Sequence, residues 1–223
     1  MKSQQSGFTL VEIAIVLVII GLLLGGILKG QELINSAKVK NIANDFRVIP
    51  TYIYAYQDKY RALPGDDAQV VAHNGGVLAT TPSGKQGDGV IEGKWDSTTV
   101  TDESVLFWNH IRKAGLMSGT DTVGSFNDAD PYTPKNALGG RIGISGNGSS
   151  ATPYITGMSG SYQICSKGLL GKFAKQLDIQ MDDGDTAGGN MRTVAVTAVP
   201  GTAPTVATKD VQDDTTYIVC MTI

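Results

Sequence analysis

Histidine and cysteine are scarce in this chain, with two of each in 223 residues. The histidines are His73 and His110, and no H-E-x-x-H, G-x-S-x-G or P-loop spacing occurs. The hydrolase, metalloprotease and nucleotide-hydrolysing classes that those spacings mark are therefore excluded, and a protein that is not an enzyme is expected. His110 stands beside Trp108 on a predicted helix, the setting of a partly buried structural histidine. No C-x-x-C is present; Cys165 and Cys220 stand far apart and late. A basic excess is missing too. Lysine and arginine number 18 against 21 acids, a formal charge of −3, which argues against a dedicated nucleic-acid surface. Charge is scarcest from Phe8 to Leu28, where 21 residues carry only Glu12.

That run is what the chain does have. As a helix rising ~1.5 Å per residue it spans about 30 Å, the thickness of a bilayer's hydrocarbon core. A carboxylate at that depth costs roughly 2.5–3.5 kcal/mol even on a lenient insertion scale. An anchor alone would carry leucine at position 12, so Glu12 needs a partner that the segment does not supply. A secretory signal does not fit, because its apolar core is shorter, roughly 7–15 residues, and its small-residue cleavage site follows that core. Here the run is longer and Gly7 precedes it. Lys2, the one charge before the run, is expected to stay cytoplasmic, with the head delivered across.

The polar leader ending in Gly7, then Phe8, Thr9, Leu10, Val11 and Glu12, then the unbroken apolar run, resemble the prepilin signal of type IV pilins and type II secretion pseudopilins. The resemblance implies that a membrane aspartyl peptidase cuts after Gly7 and that the new N-terminal Phe8 is N-methylated. It implies that Glu12 meets the N-terminal amine of a neighbouring subunit in a filament. It also implies an α+β, type IV pilin-like fold: a long N-terminal α-helix packed on a C-terminal antiparallel β-sheet head with extra short helices. The expected divisions are a prepilin leader at 1–7, a transmembrane or filament-core half-helix at 8–30, an amphipathic half-helix at 31–60 and a globular head at 61–223.

Gly21, Gly25, Gly26 and Gly30 form two G-x-x-x-G spacings, which let helices approach closely in lipid. Many type IV pilins place a proline in this stretch. Its absence here points toward the pseudopilin branch, whereas the late cysteine pair points toward a pilin. Val39, Ile42, Phe46, Ile49, Ile53, Tyr56 and Tyr60 then form one helical stripe, read as packing on the chain's own head. Pro50 interrupts it and predicts a bend in one helix from about Phe8 to Tyr60, roughly 80 Å long. The turn at 62–67 ends that helix, and residues 73–100 read mostly as loop. A second helix is predicted over 102–114, with Asp102 as its cap and Gly115 just beyond. Strands are expected at 140–145, 153–158, 161–166, 192–198 and 215–222, with a short helix at 168–177. The patterns at 103–116 and 177–184 are similar to ones in pilin-like proteins with large heads.

With the head outside the cytoplasm, a Cys165–Cys220 disulfide is allowed. It would close a loop of about 56 residues, worth ~4 kcal/mol in the chain-entropy model. Asp182, Asp183 and Asp185, with Asp178 just upstream, form an acidic turn, and Asp210, Asp213 and Asp214 form another. Major pseudopilins use a head-loop calcium, so Asp182, Asp183 and Asp185 are candidate Ca2+ ligands. Their spacing is not that of an EF-hand, and a solvated acidic turn is the alternative.

The expected function is a structural pilin of an extracytoplasmic filament, first stored in the inner membrane with its head periplasmic. The alternatives are a type II secretion pseudopilin, or a minor or tip subunit for adhesion or DNA uptake. Implied partners are copies of itself and other pilins, the prepilin peptidase, an inner-membrane assembly platform and, before assembly, membrane lipid.

Overall fold

The computed structural model describes residues 9–147, 153–198 and 205–223. Its first element is α1, Leu10–Tyr60, 51 residues long. By contacts the chain falls into two compact units, one ending at Lys38 and one running from Val39 to Ile223.

In the first unit every side chain from Leu10 to Leu28 is exposed. An 18-residue window of α1 reaches a mean hydropathy of 2.8. Among the described residues this is the one helix long and apolar enough to cross a membrane. Leu10 is 90% exposed, so the isolated chain leaves this apolar surface with nothing to bury it.

The second unit begins with the stripe read from the sequence. Val39, Ile42, Phe46, Ile49, Ile53 and Tyr56 are all buried, with Ala43 beside them. The helix continues through Pro50, where the Thr51 hydroxyl donates to the Val48 carbonyl at 2.6 Å. Arg61 ends α1 at φ 56°, the left-handed conformation that closes many helices and is more often taken by glycine.

Four strands form one antiparallel sheet: β1 (Ile142–Gly146), β2 (Tyr162–Leu170), β3 (Met191–Ala195) and β4 (Thr216–Thr222), in the order β1-β2-β4-β3. Successive side chains on a strand face opposite ways, which gives the sheet two cores. Ile142, Ile144, Ile164, Met191 and Val219 join the stripe of α1. Cys165, Val194, Ile218 and Cys220 join Trp95, Tyr154, Ile155 and Met158. The fold is thus the pilin-like α+β arrangement, a long helix with an antiparallel sheet and short helices.

Two expectations are corrected. Residues 153–158 form turns rather than a strand. Ile155 donates to Gln163 Oε1 and accepts from Gln163 Nε2, so a side-chain carboxamide does for its backbone what a neighbouring strand would. The short helix starts later, as α4 over Gly171–Met181. Gly168, at φ 79°, sits at an irregularity in the β2–β4 register, and Leu169 and Leu170 continue the strand beyond it.

Helix α3 (Glu103–Lys113) is where 102–114 was expected, but Glu103 through Arg112 are all buried. Val105, Trp108 and Ile111 face the core, and the opposite side is covered by loops that its polar side chains hold. His110 Nδ1 accepts from the Gly65 N–H, and His110 Nε2 donates to the Val77 carbonyl. Asn109 bridges Val77 and Asp121, and Arg112 donates to the carbonyls of Thr120 and Tyr132. A five-residue helix, α2 (Val70–Asn74), precedes it.

Candidate functional site

Three places carry functional chemistry: the start of α1, the joined cysteines and the acidic loop after α4. Gly7 and Phe8 lie outside the described residues. Thr9 and Glu12 do not. The Thr9 N–H and hydroxyl both donate to Glu12 Oε2, at 2.8 and 2.7 Å, and the Glu12 N–H approaches Thr9 Oγ1 at 3.3 Å. Threonine before the first helical turn and glutamate three residues on make a reciprocal capping box. Glu12 therefore has a local role that sequence reasoning missed, although the T-x-x-E spacing announces it. The carboxylate also sits where the N-terminal end of the helix dipole favours negative charge.

Residues 2–28 match the family model described as the prokaryotic N-terminal methylation motif. The chain carries the prepilin signal of type IV pilins and pseudopilins. The match spans the leader, the capping box and the exposed apolar run, and the head lies outside it. No curated protein and no solved structure matches the chain. A prepilin signal on an exposed membrane-length helix supports processing as a prepilin of pilin or pseudopilin type, and the motif implies a prepilin peptidase and filament subunits as partners.

In the head, Cys165 and Cys220 are joined as a disulfide. They are register partners on β2 and β4, beneath Trp95 and Tyr154. Gly143 continues the row on β1, where the Trp95 backbone passes so closely that no Cβ fits.

The acidic loop is built differently from its sequence expectation. Asp178, Asp182 and Asp183 each bring an oxygen within 4.8 Å of the others. Asp178 and Asp182 are one helical turn apart at the end of α4, which the i, i+4 spacing could have shown. Asp185 stands outside this group, and its carboxylate accepts the Ala187 N–H. Asp178 is buried; its Oδ1 accepts from Gly184, and its Oδ2 has no partner among the described residues. Burial, with the Asp182, Asp183 and Asp185 charges adding to it, raises the Asp178 carboxyl to about 6. A donor set of carboxylates alone suits a hard cation rather than a soft one, and the unpartnered Asp178 oxygen fits one.

A cleft of about 520 Å³ opens beside the C-terminal end of α1. Asp67 anchors its wall, accepting from the Tyr56 hydroxyl and His73 Nδ1, both at 2.7 Å, and from the Gln69 N–H at 2.9 Å. No serine, threonine, cysteine or lysine is among the described residues that line it. Its Asp–His pair braces α2 against α1, Asp67 holding both the Tyr56 hydroxyl and His73.

Proposed function

We propose that this chain is a structural pilin of an extracytoplasmic type IV filament, made as a prepilin and cut between Gly7 and Phe8. The observation that carries the reading is the methylation motif on a helix whose apolar run from Leu10 to Leu28 is wholly exposed in the single chain. A surface of that kind needs lipid first and neighbouring helices afterwards. Residues 8–30 would occupy the membrane and then the filament core, 31–60 would join core to head, and 61–223 would form the outer surface. Phe8 carries the methyl group, and Glu12 neutralises the amino terminus of a neighbour. The role is non-enzymatic. Lys2 before the run supports a head delivered to the periplasm before export, and the disulfide supports an oxidising compartment.

A second reading, a type II secretion pseudopilin, is favoured by the lack of proline between Phe8 and Ile49. A tip subunit for adhesion or DNA uptake fits Glu12 less well, because tip subunits of this kind often lack that acid. In either filament, Asp178, Asp182 and Asp183 would hold a Ca2+ ion that ties the end of α4 to the loop before β3.

Shearing cells and imaging the filaments tests the function. The expected result is this chain as the main filament protein. Filaments that form without it, together with a chain that stays wholly in the membrane fraction, would remove the structural reading.

A further inference from the structure

Two glutamates that the filament reading does not use are buried against each other in the head. Glu92 lies in the loop before α3 and is 2% exposed; Glu103 opens α3 and is 0% exposed. The Glu92 N–H donates to Glu103 Oε2 at 2.9 Å, and the Glu92 carbonyl accepts from the Ser104 N–H at 3.0 Å. The loop is thereby fastened to the start of the helix. The other three oxygens, Glu92 Oε1 and Oε2 and Glu103 Oε1, are buried without a partner among the described residues.

The neighbouring titratable groups make this worse for two ionised carboxylates. Asp66, from the turn after α1, accepts from the Gly87 and Gly89 N–H groups and adds negative charge. Asp88 and Tyr162 flank Asp66. Asp102, next to Glu103 in the chain, accepts from the Ser97 hydroxyl. Neither glutamate has a lysine, arginine or histidine partner among the described ion pairs. Like charges in one dry site raise one member's pKa strongly, because a proton removes the repulsion and supplies a donor.

We propose that Glu103 keeps a proton in the folded head and donates it to the Glu92 side chain buried against it, forming a proton-held latch between the loop and α3. Burial first, and Glu92 second, push Glu103 up to about 9. The folded head therefore holds a proton that the unfolded chain releases above its ordinary value of 4.5. Stability from the latch is complete below that value, falls as pH rises, and is gone once pH passes the folded value. Acid tightens the latch and alkali opens it. The loop it holds ends in Trp95, which covers the disulfide side of the sheet, so the opening reaches that core.

The full chain in detergent micelles tests this. Infrared spectroscopy reads the carbonyl stretch of a protonated carboxyl, and near-ultraviolet circular dichroism of Trp95 and Trp108 reads the unfolding midpoint. The window is about pH 7 to pH 9, above the titration of Asp45 and Asp178, each raised to about 6. The native chain should show the carboxyl band and a midpoint that falls with pH. Glu103→Gln and Glu92→Gln should each remove the band and flatten the slope, because a carboxamide donor replaces the proton. The native band can be read even where one variant does not fold. A native chain without the band overturns the proposal, as does a band and slope that persist in both variants. A midpoint that Ca2+ raises in the native chain but in neither variant would show that a cation, rather than a proton, holds the pair.

Discussion

Cys165 and Cys220 are register partners on β2 and β4, the two inner strands of the sheet, and their disulfide pins that register. A slip of one residue would turn Ile164 and Val219 away from the α1 side and undo both cores at once. The bond thus fixes which face of the sheet meets the helix.

Cys220→Ser should lower the stability of the head by about 4 kcal/mol, the chain-entropy value for a loop of this size. Denaturant unfolding of the native and variant chains measures it. Peptide mapping without reductant should recover Cys165 and Cys220 in one linked pair.

Mass spectrometry of the mature protein should find methylated Phe8 as its first residue. A Gly7→Ala chain should keep the leader and accumulate uncut in the membrane. Efficient cutting of that variant would mean that the peptidase reads something other than the glycine.

Glu12 has two separable roles, the capping box with Thr9 and the charge pairing proposed for the filament. Glutamine serves a capping box as glutamate does but carries no charge, whereas leucine does neither. Glu12→Leu should insert as well as the native chain, because it removes a charge from lipid, yet enter filaments poorly. Glu12→Gln should lie between the two. The ratio of sheared to membrane-bound protein reports both. Full assembly of the leucine variant, with no native copy present, would end the pairing role.

Chelator should lower the melting temperature of the head if Asp178, Asp182 and Asp183 hold Ca2+, since an ion bound only to the folded form stabilises it by mass action. Asp178→Asn should abolish the response, and Asp185→Asn should leave it intact. Melting that is unchanged by calcium would make the loop a solvated acidic turn.

His110 sets the acid limit. Burial lowers it from 6.5 to about 4, against the Val77 carbonyl and the Asp67 charge, which both favour the charged ring; Nδ1, which accepts from the Gly65 N–H, would have to give up that bond to take a proton. Its contribution is full above 6.5 and is lost as pH falls through the folded value. The loss amounts to about 3 kcal/mol by the pKa difference. The sign is opposite to that of the Glu92–Glu103 latch. Asp45 and Asp178, each raised to about 6, and Glu103 titrate with the opposite sign in this range, so the His110 contribution is read as a difference: the gap in unfolding midpoint between the native chain and His110→Gln should narrow as pH falls from about 6 to about 4.

What could be read beforehand was what periodicity records. The α1 stripe from Val39 to Tyr56, the four strands and the position of α3 all follow from side-chain spacing on one element. Loop contacts were not legible. Nothing local tells that Gln163 will occupy the backbone of Ile155, or that Glu92 will meet Glu103, because those pairings exist only once distant loops close over the sheet. Asp178 was passed over in favour of Asp185 because chain proximity stood in for the helical turn that brings Asp178 to Asp182. The capping box is different in kind, since Thr9 and Glu12 carry it in plain T-x-x-E spacing.

The sheet order β1-β2-β4-β3 has a consequence for synthesis. The strand between β2 and β3 is the last of the four to be made, so a chain that emerges from its N-terminal side cannot close its sheet on the way. Until β4 arrives, β2 shows an open row of backbone donors and acceptors, a template that another chain's strand could occupy, and Cys165 waits as a free thiol. Maturation of the head is therefore a late, single event: the same seven residues that complete the sheet deliver the second sulfur.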